Sequence, residues 1–256
     1  MSKKNILLCR VEENKDDLYV PFGILYLADA LEKEGYNVEI WHDTQKSLGD
    51  LYSKIEEKSP LFVGFSTVTG PHLRPTIRAS KKVKKMDIPV VWGGIHATLL
   101  PTLCVKEKYV DYVVLFEGEV TICKLANEIS KETSSPKEIK GLAFYENDKF
   151  INTGKREFID LDNYFPRFEK IDLSKYFQKT MDCERVLPLI TSRGCPFRCG
   201  FCYNVYFNDR NWRSHSLSSV MKQLKYLKSK YSIDRDDFHD DFFFANKKRA
   251  KKIIKK

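Results

Sequence analysis

The chain has 256 residues, 42% of them hydrophobic and 13% aromatic, which excludes wholesale disorder and leaves room for one large or two modest domains. The formal net charge of +9 suggests a nucleic-acid binder, yet seven of the 44 basic residues lie in the last ten positions, KKRAKKIIKK, which hold no acid. The remaining body is nearly neutral, and nucleic acid is not an expected partner.

The segment MSKKNILLCRVEENKDD has too short an apolar stretch for a signal-peptide core, and no run approaches the ~18 apolar residues of a membrane span. Seven cysteines, an odd number, without a secretory signal point to a reducing compartment. A cytoplasmic location is expected.

Short apolar runs then alternate with amphipathic ones. Asn5 to Cys9, Val38 to Trp41, Leu61 to Ser66, Val90 to Trp92 and Tyr112 to Phe116 read as strands. Ile24 to Lys33, Leu48 to Lys58, Pro75 to Lys85 and Val120 to Lys131 carry apolar residues at helical spacing. Such alternation predicts a doubly wound parallel sheet that binds ligands beyond the carboxyl ends of its strands. Small-residue turns stand at three successive strand ends: Ser66-Thr67-Val68, Gly93-Gly94-Ile95-His96-Ala97-Thr98 and Glu117-Gly118-Glu119. Glycine there lets the backbone approach a large flat ligand or its phosphate tail, though each turn alone also reads as an ordinary strand-to-helix connection. No G-x-G-x-x-G follows the first strand and no P-loop is present.

Three regions are expected: an α/β domain over 1–133, a hairpin and connector over 134–186, and a second domain over 187–256. SSPKE reads as a linker, Ile139 to Tyr145 with Lys149 to Ile151 as a small hairpin, and Ile159 to Glu184 as a connector packed by aromatics. A strand at LPLITS, a helix over Leu217 to Lys230 and a second strand around Asp237 to Phe244 follow. Tyr203 to Phe207 reads as core or as the lining of a substrate cavity.

Between the first of these strands and that helix stands R-G-C-P-F-R-C-G-F-C, with Cys195, Cys199 and Cys202 at C-x3-C-x2-C spacing. Three thiolates this close suit an iron–sulfur cluster. Structural zinc needs a fourth ligand and usually paired C-x2-C knuckles, and the nearest candidates, Cys183, His215 and His239, lack that spacing. Cys123 falls on an apolar helical face and reads as a small buried hydrophobe.

This cluster resembles the signature of the radical S-adenosylmethionine (SAM) family, with Phe201 at its aromatic position. TSRGCPFRCGFC, the Trp212-Arg213 pair and FHDDFFF are similar to the subgroup that carries a cobalamin-binding domain, as are PFGILYLADALE and the ordered small-residue turns. The resemblance implies a cobalamin-binding, Rossmann-like sheet followed by the first strand–helix units of a partial TIM-type barrel. Cys195, Cys199 and Cys202 would hold a [4Fe–4S] cluster whose open iron chelates SAM, with Phe201 against the adenine and Asp240 and Asp241 matching an acidic pair. Those two acids also read as strand-end residues facing solvent, and Arg193 as a surface charge. Ser66, Thr67, Gly93, Gly94, His96, Ala97, Gly118 and Glu119 would line the cobalamin site.

The His of a D-x-H-x-x-G motif, which supplies the lower cobalt ligand in many cobalamin proteins, is absent after Cys9, so none is expected from that source. The resemblance implies reductive SAM cleavage to a 5′-deoxyadenosyl radical, for methyl transfer or a related reaction on an unactivated carbon. A small-molecule substrate and an electron donor such as flavodoxin or ferredoxin would be partners; no catalytic residue is assigned. The 70 residues from 187 to 256 suffice for about two strand–helix units, so poor turnover by this chain alone is expected, as for a truncated gene product. The KKRAKKIIKK segment resembles an interrupted second barrel helix, with Ala250, Ile253 and Ile254 on its apolar side. A non-catalytic remnant or cofactor-binding module is the alternative, and a zinc-containing nucleic-acid binder a weaker one.

Overall fold

The computed structural model of the chain describes residues 4–131 and 135–255. Ser134 of the expected linker and the boundary expected at 133/134 lie outside the described residues, as does Lys256. Two compact units are present: Met1–Phe158 with Pro166–Ile171, and Ile159–Phe165 with Asp172–Lys256.

In the first unit, strands β1 (Asn5–Glu12), β2 (Asn37–Thr44), β3 (Val63–Ser66), β4 (Val90–Gly93) and β5 (Tyr112–Val114) are parallel. They alternate with α1 (Phe22–Lys33), α2 (Leu48–Lys58), α3 (Leu73–Lys84), the short α4 (Ile95–Leu99) and α5 (Pro101–Lys106), and α6 (Glu119–Ile129). On one face of the sheet Leu7, Cys9, Val11, Val63, Phe65, Val90 and Trp92 share a core with Leu51 and Ile55 of α2 and Ala79 and Val83 of α3. The alternate residues Ile6 and Leu8 are equally buried, so the strands carry continuous apolar runs, as a sheet covered on both faces requires. Each such side chain contributes roughly 1.5–3 kcal/mol by leaving water.

The hairpin β6 (Leu142–Glu146) and β7 (Lys149–Asn152), expected apart from the sheet, adds two antiparallel strands to its edge in the order β2-β1-β3-β4-β5-β6-β7. The sequence showed its apolar alternation but not its partner, β5. That strand is shorter than expected, because Phe116 turns to φ +59° and Leu115 N–H bonds the Gly141 carbonyl at 2.8 Å. Conversely, β1 and β2 run past their apolar runs, with Arg10 opposite His42 and Glu12 opposite Thr44. The connector is divided between the units. Arg167 pairs with Asp29 at 3.0 Å, Lys170 donates to the Val38 carbonyl, and Phe168 meets Phe22 edge-on, all within the first unit.

The second unit begins with β8 (Val186–Leu189) and β9 (Ser192–Arg193), followed by the cysteine loop, α7 (Asn204–Phe207), β10 (Arg213–Ser214), α8 (Leu217–Tyr231), β11 (Arg235–Phe238) and α9 (Lys247–Ile254). β8 and β11 pair in parallel around α8, the start of a βαβ arrangement. β11 ends earlier than expected: His239 N–H bonds the Leu189 carbonyl, and the chain then turns through Asp240 and Asp241. In α9, Ala250 and Ile253 are buried as expected, but Ile254 is 65% exposed. No helix among the described residues is long and apolar enough to cross a membrane.

Candidate functional site

At the carboxyl edge of the first sheet, the turns after β3 and β4 interlock. Thr67 donates through both N–H and Oγ1 to the Gly93 carbonyl at 2.8 Å, while its carbonyl accepts from His96 N–H at 3.2 Å. Ala97 N–H reaches Thr67 Oγ1 at 3.3 Å. This contact requires glycine at position 94, where φ is +93° and a Cβ would lie 2.7 Å from the Thr67 carbonyl oxygen. His96 is half-buried, its Nδ1 2.9 Å from Thr69 Oγ1, and burial holds its pKa below the ordinary value.

Ser66 is half-buried, and Thr67, Ala97, Gly118 and Glu119 are buried. Gly118 answers a packing need: a Cβ there would sit 3.0 Å from Val114 Cγ1 and 3.1 Å from Leu27 Cδ2. Beside it, Phe116 is left-handed, with its N–H held by Thr98 Oγ1 at 3.0 Å. A non-glycine residue in that region costs roughly 1–3 kcal/mol, a strain that clusters at ligand edges.

A feature with no local sequence signal stands at the ends of β1 and β2. Glu12 is fully buried, and its Oε1 accepts from Arg10 Nε at 2.5 Å and meets His42 Nε2 at 3.1 Å. Its Oε2 contacts His72 Nδ1. These residues come from β1, β2 and the connection leaving β3, so only the fold joins them.

In the second unit, the two-residue ladder of β9 and β10 clasps the base of the cysteine loop. Cys199 is exposed, Cys195 and Cys202 are partly exposed, and all three are free thiols. Elsewhere, burial pushes the Cys9 thiol far up, Cys104 to about 11 and Cys123 to about 12. Those thiols resist becoming ligands, whereas the loop thiols are accessible. Among the described residues no three His, Cys, Asp or Glu side chains converge on a point that would hold a metal ion. A mononuclear tetrahedral centre asks for such convergence; a cluster takes each thiolate on a separate iron. Phe201 is 95% exposed, an uncovered ring two residues from Cys199.

Asp240 is half-buried and Asp241 is exposed, and both accept hydrogen bonds from this loop or its base. Asp240 accepts from Thr191 N–H at 3.1 Å, Thr191 Oγ1 at 2.9 Å and Ser192 Oγ, and its carboxyl is pushed up by burial. Asp241 accepts from Gly194 N–H at 2.8 Å and from Tyr203 Oη at 3.0 Å. Arg249, expected as part of a basic tail, is instead half-buried and donates to the carbonyls of Thr191 at 2.8 Å and His215 at 3.2 Å.

Of the possible zinc ligands, His215 is committed elsewhere: its side chain is 1% exposed and Nδ1 lies 3.2 Å from Asp162 Oδ1. Burial, with Arg193 nearby, lowers its pKa from 6.5 to about 4. The unfolded chain therefore takes up a proton near pH 6.5 that the folded unit refuses until about pH 4. The stability contributed by this neutral imidazole is complete above pH 6.5 and falls as pH drops toward 4. Denaturant titrations at pH 7 and pH 5 are expected to differ by about 2 kcal/mol from this group, a difference that His215→Gln removes. An unchanged pH dependence in the variant would place the effect elsewhere.

Comparison with known proteins bears on both sites. Residues 16–126 match the family described as the B12 binding domain. An uncharacterized methyltransferase of Pyrococcus horikoshii is 34% identical over 236 residues, covering 90% of this chain and 50% of that protein. The anaerobic magnesium-protoporphyrin IX monomethyl ester cyclase of Cereibacter sphaeroides is 28% identical, covering 83% and 36%. The chain thus spans half or less of the length of these relatives. Among solved structures, the radical S-adenosylmethionine methyltransferase TsrM of Kitasatospora setae, with cobalamin and a [4Fe-4S] cluster bound, superposes with TM-score 0.76 at 22% identity, over 99% of this chain and 50% of that one.

Proposed function

We propose that the chain, whose residues 16–126 match the B12 binding domain and which shares the fold of a radical SAM methyltransferase, binds a corrinoid through its first unit and a [4Fe–4S] cluster with SAM through its second. The reaction served is methyl transfer, or a related radical reaction, at an unactivated carbon of a small molecule. The observation that carries this reading is the cysteine loop itself: three accessible thiols held on a backbone tied down by Asp241, with an exposed aromatic ring among them.

When bound, the cluster supplies the electron that cleaves SAM, and the corrinoid supplies methyl-transfer chemistry. Cys195, Cys199 and Cys202 would hold the iron as thiolates, and Phe201 would offer its exposed ring to the adenine. Asp240 and Asp241 serve the SAM site through the loop they hold, fixing Thr191, Ser192 and Gly194. In the first unit Ser66, Thr67, Gly93, Gly94, His96 and Ala97 form the edge for the corrinoid tail, with Gly118 and Glu119 packed behind it. Flavodoxin or ferredoxin suits the electron supply, and the cytoplasm suits the cluster.

SAM binding provides the test. After anaerobic reconstitution and reduction, the electron paramagnetic resonance spectrum of the cluster is expected to change when SAM is added, because three cysteines would leave the cluster short of a fourth protein ligand and so open to SAM. A loaded cluster whose spectrum ignores SAM would contradict the proposal.

A further inference from the structure

We infer that the lysine face of α9 is the docking surface for an acidic electron-donor protein, an assignment that rests on the cluster reading above. Seven of the chain's nine net positive charges come from its last ten residues. Apart from Arg249, none of those side chains is used by the sites described so far. Burial of Ala250 and Ile253 fixes the inner side of α9, and Lys247, Lys248, Lys251 and Lys252 are all exposed. No side chain of these four has a hydrogen bond or ion pair among the described residues.

The face is electrostatically unfavourable on its own. Lys247 stands four residues before Lys251 and Lys248 four before Lys252, so like charges adjoin along the helix surface. Lys247 and Lys248 also occupy the first turn, which holds no acid, and the helix dipole disfavours cations there. An acidic surface laid against the face relieves both repulsions.

Its place in the fold selects the partner. Arg249, in the first turn of α9, donates to the Thr191 carbonyl at 2.8 Å, and Thr191 directly precedes β9, the strand that leads into the cysteine loop. Phe197 of that loop meets Phe242, five residues before α9, with ring centroids 5.2 Å apart. Phe197 and Phe244 are 57% and 56% exposed, so apolar rings accompany the lysines. Electron-transfer partners meet through small interfaces in which charge sets the encounter rate and its salt dependence. The cluster needs one electron from outside the chain; the donor gives it up, the cluster gains it, and no bond forms or breaks. Nucleic acid, the other polyanion, calls on basic residues across a whole domain, and the body outside the tail is nearly neutral.

The test uses flavodoxin, an acidic flavoprotein, and two triple variants of the full chain with the same change in charge. One carries Lys247→Glu, Lys248→Glu and Lys251→Glu on α9; the other carries Lys81→Glu, Lys82→Glu and Lys85→Glu at α3, and all six positions are exposed. Glutamate suits the first turn of a helix, so the α9 substitutions do not endanger the fold. In titration calorimetry, binding of oxidised flavodoxin is expected to weaken with added salt, to fall at least about tenfold in the α9 variant and to stay within about twofold in the α3 variant. Calorimetry requires no loaded cluster. In the reconstituted chain, stopped-flow oxidation of reduced flavodoxin should slow by a similar factor in the α9 variant. Photoreduced deazaflavin, a small uncharged reductant, should bleach the cluster of both variants at the wild-type rate. Binding indifferent to salt, equal weakening by the two triples, or slow reduction of the α9 variant by deazaflavin overturns the docking surface. Duplex DNA bound by the lysine face, with flavodoxin oxidation unchanged in the α9 variant, overturns it as well. A chain that never retains iron overturns the cluster reading, and calorimetry still decides the surface.

Discussion

Alanine in place of Cys195, Cys199 or Cys202 is expected to bring the iron and sulfide retained after anaerobic reconstitution close to background. Changing only the groups that orient a metal ligand costs about 10–100-fold in affinity, and removing a thiolate deletes the bond itself. Cys104→Ala, Cys123→Ala and Cys183→Ala should keep their iron, because the first two thiols are buried and disfavoured as thiolates and the third lies outside the loop. Iron and acid-labile sulfide analysis reads this directly. Full loading in any of the three loop variants, or loss in Cys183→Ala, would show that the ligand set is different.

The second large effect concerns backbone geometry at the base of the cysteine loop. Gly194 has φ +87°, and a Cβ there would stand 1.9 Å from the Asn211 carbonyl oxygen, a backbone atom that cannot step aside. Gly194→Ala is therefore expected to open the clasp between β9 and β10 and to loosen the N–H bond to Asp241. Left-handed backbone strain alone costs about 1–3 kcal/mol, and the clash adds to it. The variant should lose most of its cluster and unfold at lower denaturant. Gly200, in the same loop, has nothing within 4 Å of a Cβ, so Gly200→Ala should load iron normally. Equal behaviour of the two variants would remove the loop geometry from the explanation.

The strands and long helices of the first unit were legible because each buries a run of apolar residues with its own period. Val63 to Ser66 and Leu48 to Lys58 show it clearly. What escaped depends on partners distant in sequence. The hairpin at 142–152 carried its own alternation but nothing to say that Val114 would pair with Leu142. Likewise, Arg10 and Glu12 looked like the charged end of a strand, and only the parallel register with β2 carries that strand on to its buried carboxylate.

The spacing of the cysteine loop was visible in full, since its three thiols lie within eight consecutive residues. Its support was not. Asp240 and Asp241 matched a pattern, but their bonds to Thr191, Ser192, Gly194 and Tyr203 follow from the pairing of β8 with β11. Arg249 shows the converse error: counted among solvated cations, it binds two backbone carbonyls from the first turn of α9.

The central claim is that one chain holds both cofactors, and simultaneous loading tests it most directly. The chain is reconstituted anaerobically with iron, sulfide and hydroxocobalamin, freed of excess by gel filtration, and analysed for iron, sulfide, cobalt and zinc. The account predicts iron and sulfide in equal amounts together with one cobalt per chain, the cobalt surviving removal of iron by a chelator. Stoichiometric zinc in place of iron, with no retained cobalt, would contradict it.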